Sequence, residues 1–173
     1  AAIDALAPVL GDTRLVAEDL GVITDDVVAL RHALRLPGMR VLQFAFDGNP
    51  DNPHLPRHHG PDSVCYTGTH DNDTTCGWFH SASPETQAAV LRYLDRATSD
   101  DLHWPLIRLA FSSVAALAVI PLQDVLGLGS EGRMNLPGQP QGNWRWRYLP
   151  EALRPELGER LSDLTALFGR DTH

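Results

Sequence analysis

The chain has 173 residues, a formal net charge of -8 with its histidines neutral, and a residue content that is 43% hydrophobic and 21% charged. That is the size of one globular domain with a real core, yet short of the roughly 250 residues of a closed eight-fold barrel. The acidic balance argues against nucleic acid or an anionic membrane surface as partner, and no apolar run nears the roughly 20 residues that a membrane span needs, so the expected partner is neutral or small.

The two cysteines, Cys65 and Cys76, form no CxxC pair and fall in different predicted elements. They read as free thiols of a cytoplasmic protein rather than as a zinc site or a disulfide. The chain opens on Ala1 without the basic and apolar segments of a signal peptide, which reads as a truncated or processed piece.

A short apolar stretch at 14–18 reads as a strand running into Glu18-Asp19-Leu20-Gly21. Thr24 is placed to cap a helix that begins with Asp25 and Asp26, charges suited to its positive end, with Val27, Val28, Leu30 and Leu34 as its apolar face. Pro37-Gly38 stops this helix, and RVLQFAF at 40–46 reads as a buried strand. Residues 47–61, rich in Asn, Pro, Gly and His, read as a long surface loop in which His54, His58 and His59 are solvated.

SVCYT at 63–67 is the next strand, followed by a polar run over 68–75. Ser83-Pro84-Glu85 opens a capped helix that turns Ala89, Leu91 and Leu94 inward, and a second helix follows from Asp101 toward Ala115. Residues 117–120 form the last strand. A loop rich in Gly, Pro, Gln and Asn then fills 130–143, and an amphipathic helix over 151–168 turns Leu153, Leu157, Leu161 and Leu164 inward. Four strands, near 14–18, 40–46, 63–67 and 117–120, alternate with helices, so the fold class is α/β, with the look of half of a (β/α)8 barrel.

In such barrels the chemistry lies where the strands end. Here Glu18 and Asp19 end the first strand, Asp47 follows the second, His70 and Asp71 the third, and Gln123 and Asp124 the fourth. Breaking a glycosidic bond takes one carboxyl that gives and accepts a proton and another that attacks or stabilises the developing cation, so converging carboxylates are suitable equipment. A glutamic acid that stays protonated at neutral pH needs partial burial or a neighbouring carboxylate.

The stretches LVAEDLGVIT at 15–24, LPGMRVLQFAFDG at 36–48, NPHLP at 52–56 and YTGTHDNDTTCGWF at 66–79 closely resemble the amylomaltase family of 4-α-glucanotransferases. So do PLQDVLGLG at 121–129 and RMNLPGQPQGNWRWR at 133–147, and the match covers nearly the whole chain in one order. The resemblance implies the C-terminal half of a TIM-type barrel that acts on α-1,4-glucans or maltooligosaccharides by a retaining mechanism without a cofactor. It assigns Glu18 as general acid/base, Asp71 as the carboxylate that stabilises the transition state, and His70, Asp47 and Asn135 as glucan contacts. The family's nucleophilic aspartate would lie upstream, since the chain begins 17 residues before Glu18 and Asp4 and Asp12 sit in no resembling motif. On this reading the isolated chain is inactive.

Other readings compete. His70, Asp71 and Asp73 are also metal-ligand residue types, as in a metal-dependent hydrolase. Trp144-Arg145-Trp146-Arg147 could stack on bases, although the acidic chain favours indoles packed inward and arginines paired with carboxylates. An incomplete barrel with bare strand edges could instead be a glucan-binding or assembling module that associates with itself.

Overall fold

The structure is a computed structural model that describes residues 15–171. Three parallel strands, β1 (Gly38–Val41), β2 (Ser63–Tyr66) and β3 (Leu117–Val119), form one sheet in the order β1-β2-β3. Met39 lies opposite Val64, and Val64 opposite Leu117. The helices are α1 (Asp25–Ala33), α2 (Thr75–Ser81), α3 (Pro84–Tyr93), α4 (His103–Ser112), α5 (Leu122–Val125) and α6 (Pro155–Leu167). No helix among the described residues is long and apolar enough to cross a membrane.

The strand expected over 14–18 does not form over its described part. Ala17 N–H reaches Pro37 O at 2.9 Å, but the Met39 amide is then taken by the Asp19 side chain, Oδ1 at 2.6 Å, in place of a further backbone rung. The strand expected over 40–46 ends at Val41 and tightens into a 3-10 turn, Leu42–Phe44.

Side chains alternate between the two faces of the sheet. Cys65 points to a core built with Leu42, Phe79, Val90, Leu102 and Leu106, under α2, α3 and α4. Burial there pushes the Cys65 thiol up to about 12. Leu117 and Val119, on the opposite face, are 49% and 43% exposed. α4 serves two clusters, because Trp104 and Ile107 pack instead with Val125 and Leu164. Its Pro105 is tolerated since the first turn of a helix has no internal acceptor for an N–H.

The Ser83 cap of α3 forms as expected, its hydroxyl accepting from Thr86 N–H. α1 differs from its expected packing. Val27, Val28 and Leu30 are exposed, and the residue it buries is Arg31. The guanidinium of Arg31 is drawn in by Asp19, 3.5 Å from Oδ2, and donates to Leu36 O at 3.0 Å.

Most of the loop over 47–61 is exposed, His58 included, but His54 and His59 are pinned to the fold rather than solvated. His54 Nδ1 accepts the Val41 amide at 3.1 Å. His59 is buried, its Nε2 2.9 Å from His54 O and its Nδ1 2.7 Å from Ser113 Oγ. Burial, helped by the nearby Arg40, pushes the His54 ring down to about 4, and burial lowers His59 as well. A histidine held neutral in the fold but protonated near 6.5 when unfolded contributes stability that is complete above 6.5 and drains away as pH falls toward about 4. His54→Asn retains an acceptor for the Val41 amide without titrating. Its Tm should therefore fall less steeply than that of the parent protein between those two pH values, and parallel curves would contradict this account of His54.

Candidate active site

A cleft of about 700 Å³ opens at the carboxyl end of the sheet, lined by Glu18, Tyr66, His70, Asp71, Arg133 and Trp144 among others. Five chain segments meet there: Glu18 and Leu20, β1 with the 3-10 turn after it, the end of β2 with its following loop, the end of β3 with α5, and the loop after α5.

Glu18 is exposed, so the partial burial expected for it is not provided by the described residues. Its backbone is nonetheless fixed. The neighbouring Asp19 holds the Met39 amide through Oδ1, while Oδ2 stands 3.5 Å from both Arg31 Nε and Arg40 Nη1. Asp19 thus ties the Glu18 segment to β1 and α1 at once. Breaking such a buried ion cluster by removing one member typically costs about 3–5 kcal/mol, because the remaining charges lose their partner.

Asp71 is held from the opposite wall. Asn135 Nδ2 donates to its Oδ1 at 2.6 Å, and His70 Nε2 lies 3.3 Å from the same oxygen. Arg133 bridges the two loops, donating from Nη2 to Asp71 O at 2.7 Å and from Nε to Asn135 O at 2.8 Å. The Trp144 indole tilts over the His70 ring, centroids 5.2 Å apart. Trp144 takes a φ of 62°, a left-handed conformation unusual for a bulky residue.

This corrects the expected packing of the Trp/Arg stretch. Trp144 is 55% exposed beside the cleft, and Trp146 lies against Tyr148. Arg147 donates to the carbonyls of Trp144 and Trp146 rather than to a carboxylate. Main-chain turns in this glycine-rich loop offer closer acceptors than any acidic side chain.

Beneath the rim, the loop between β2 and α2 is tied at several points. Gln43 Nε2 donates to Asp73 O at 2.9 Å, and Ser130 Oγ donates to Asp73 Oδ2 at 2.6 Å. Asp124, at the floor, is 1% exposed and accepts from Thr67 and Thr75. Cys76, half-buried nearby with Sγ 3.9 Å from His103 Nδ1, is raised by burial and then by Asp124, which leaves it poorly nucleophilic.

Of the residues singled out from sequence, Glu18, His70 and Asp71 face one cleft, and Asn135 touches Asp71. Asp47 does not line that cleft. Its Oδ1 accepts the Asn49 amide at 2.9 Å, and bonds from Asn52 and Asn49 hold its carboxyl below the usual range. Among the described residues no group of three or more His, Cys, Asp or Glu could hold a metal ion. Asp124, expected with Gln123 at the end of the fourth strand, does line the cleft, whereas Arg133 and Gln43 carry no role in the sequence reading. Their contacts join residues far apart in the chain, and only the residue types, not those pairings, are visible in the motifs.

A concave site at the carboxyl end of a parallel sheet, walled by carboxylate, imidazole, amide and aromatic side chains, has the form of an enzyme's ligand-binding cleft. The family description 4-alpha-glucanotransferase matches residues 1–152, and the chain belongs to that family. It is 56% identical over 168 residues to a 4-alpha-glucanotransferase of Synechocystis, covering 96% of this chain and 33% of the relative. It is 53% identical over 160 residues to the 4-alpha-glucanotransferase of Thermus thermophilus, covering 88% of this chain and 32% of the relative. An amylomaltase from Streptococcus agalactiae, solved in complex with acarbose, superposes with a TM-score of 0.90 at 28% identity, over 98% of this chain and 34% of that one. The chain thus spans about a third of the length of these relatives.

Proposed function

We propose that this chain supplies the acid/base side and the transition-state-stabilising side of a 4-α-glucanotransferase active site. Its sheet would be part of a (β/α)8 barrel, with the rest of that barrel covering the bare face at Leu117 and Val119. Without such a cover this face would favour self-association. The two free cysteines suit a reducing cytoplasm.

The observation that carries the proposal is the Asp71 carboxylate, fixed by Asn135 beside His70 in the cleft that Glu18 also lines, within a chain of this family. Glu18 would protonate the leaving glycosidic oxygen and then take the proton from the incoming sugar hydroxyl. Asp71 would stabilise the oxocarbenium-like charge and bind ring hydroxyls together with His70. Asn135 would contact the same sugar through its free amide oxygen. Asp47, on the outer loop, would meet only a glucan long enough to leave the cleft.

A retaining reaction also needs a carboxylate nucleophile. The other carboxylates of this cleft, Asp73 and Asp124, are occupied by protein donors, so the nucleophile would come from outside the described residues. The test is incubation with maltotriose and analysis of product lengths. The full-length protein should release glucose together with oligosaccharides longer than maltotriose, while the 173 residues alone should release nothing. Glucose without lengthened products would indicate a hydrolase, and turnover by the 173 residues alone would show that no outside nucleophile is needed.

A further inference from the structure

We infer that Asp124 is a positioning residue whose buried carboxylate pins both ends of the loop carrying His70 and Asp71, and so sets where those two side chains stand. The inference rests on the transferase reading of that loop. Asp124 Oδ2 accepts from Thr67 Oγ1 at 2.5 Å and from Thr75 Oγ1 at 2.8 Å, and Oδ1 accepts the Thr75 amide at 2.7 Å. Thr67 directly follows β2, and Thr75 is the first residue of α2. Everything between them, residues 68–74, is the loop on which His70 and Asp71 ride.

A carboxylate this deeply buried is costly unless donors surround it. Among the described residues no arginine or lysine lies within ion-pairing distance of it, so the three threonine bonds carry its solvation. Burial raises its pKa and those threonines oppose the rise, with a weaker pull from His103. At 1% exposed and with both oxygens accepting from threonines, Asp124 presents little of itself to a substrate, although it lies at the floor of the cleft.

The loop above has little slack to absorb a displaced base. Gln43 grips Asp73 O, Ser130 grips the Asp73 side chain, and Gly68 sits so near Gln43 that a Cβ would lie 2.5 Å from Nε2. Thr69 is tied across the turn, its amide and hydroxyl both donating to Asn72 Oδ1, at 2.9 and 2.8 Å. Movement at Thr67 or Thr75 therefore passes to Asp71 instead of being lost in the turn.

The experiment compares Asp124→Asn, Asp124→Ala and Thr67→Val in the full-length protein, reading kcat and KM for maltotriose, thermal melting, and the ring resonance of labelled His70. Asparagine can accept the Thr75 amide through its oxygen and donate to the two hydroxyls, so Asp124→Asn should keep most of the parent kcat. Asp124→Ala, assayed below its melting transition, should lose about 100-fold in kcat, the scale of a small misplacement. Its KM should stay within about threefold, as expected when the lost interaction belongs to the transition state. Thr67→Val removes a single donor and should give a smaller kcat loss of the same kind, which serves if the alanine variant does not fold.

Folded Asp124→Ala or Thr67→Val with the parent kcat would overturn the inference. Equal losses in the asparagine and alanine variants would also overturn it, since the negative charge itself would then matter to the reaction. If the parent protein transfers no glucan, the resonance still decides: it should shift in Asp124→Ala and stay in place in Asp124→Asn, and an unmoved signal in the alanine variant would sink the positioning role independently of the transferase reading.

Discussion

Glu18→Gln in the full-length protein should lower transfer from maltotriose by about 10²–10⁴-fold, the usual contribution of a positioned general acid. Glutamine preserves the side chain's shape, and the residues that fix this segment, Asp19 with Met39, Arg31 and Arg40, are untouched, so melting should not change. The discriminating measurement uses α-maltosyl fluoride. Fluoride leaves without being protonated, so the first half of the reaction should be largely spared with this substrate while maltotriose transfer collapses. Equal losses on both substrates would place Glu18 in binding rather than in proton transfer, and retained activity on maltotriose would remove it from the mechanism.

Much of this cleft is legible in the sequence because its parts lie within short stretches. Glu18 sits beside the acidic residue that anchors it, and His70 and Asp71 are adjacent on a polar run between an apolar strand and a helix start. Periodicity finds the flanking elements for the same reason, since α3, α4 and α6 each appear within a few residues of where their patterns place them.

What stays hidden is long-range. Nothing local reveals that Asp124 binds Thr67 and Thr75, that Arg133 reaches Asp71, or that His54 and His59 turn under the loop to meet Val41 and Ser113. A histidine in a Pro- and Asn-rich stretch reads as solvated by composition, whereas its burial follows from an amide left at the end of β1. α1 misleads in the opposite direction, because Val27, Val28 and Leu30 of its apolar face stay exposed.

Asp71→Asn should lower kcat by about 10²–10³-fold with little change in KM, the scale seen when one group that stabilises developing charge is lost. The site separates charge from shape. Asparagine can still accept from Asn135 Nδ2, and Arg133 still holds the main-chain oxygen, so the loop should keep its place. On the proposed mechanism, what disappears is the negative charge that would stabilise the oxocarbenium-like centre, which matters most at the transition state. Asn135→Ala should cost less, because it frees the Asp71 side chain without removing its charge. If Asn135 acts mainly through Asp71, adding Asn135→Ala to Asp71→Asn should cost little more than Asp71→Asn alone, a non-additive cycle between neighbours. Additive losses would mean that Asn135 makes its own contact with the sugar, and a large rise in KM with unchanged kcat would reduce Asp71 to ground-state binding.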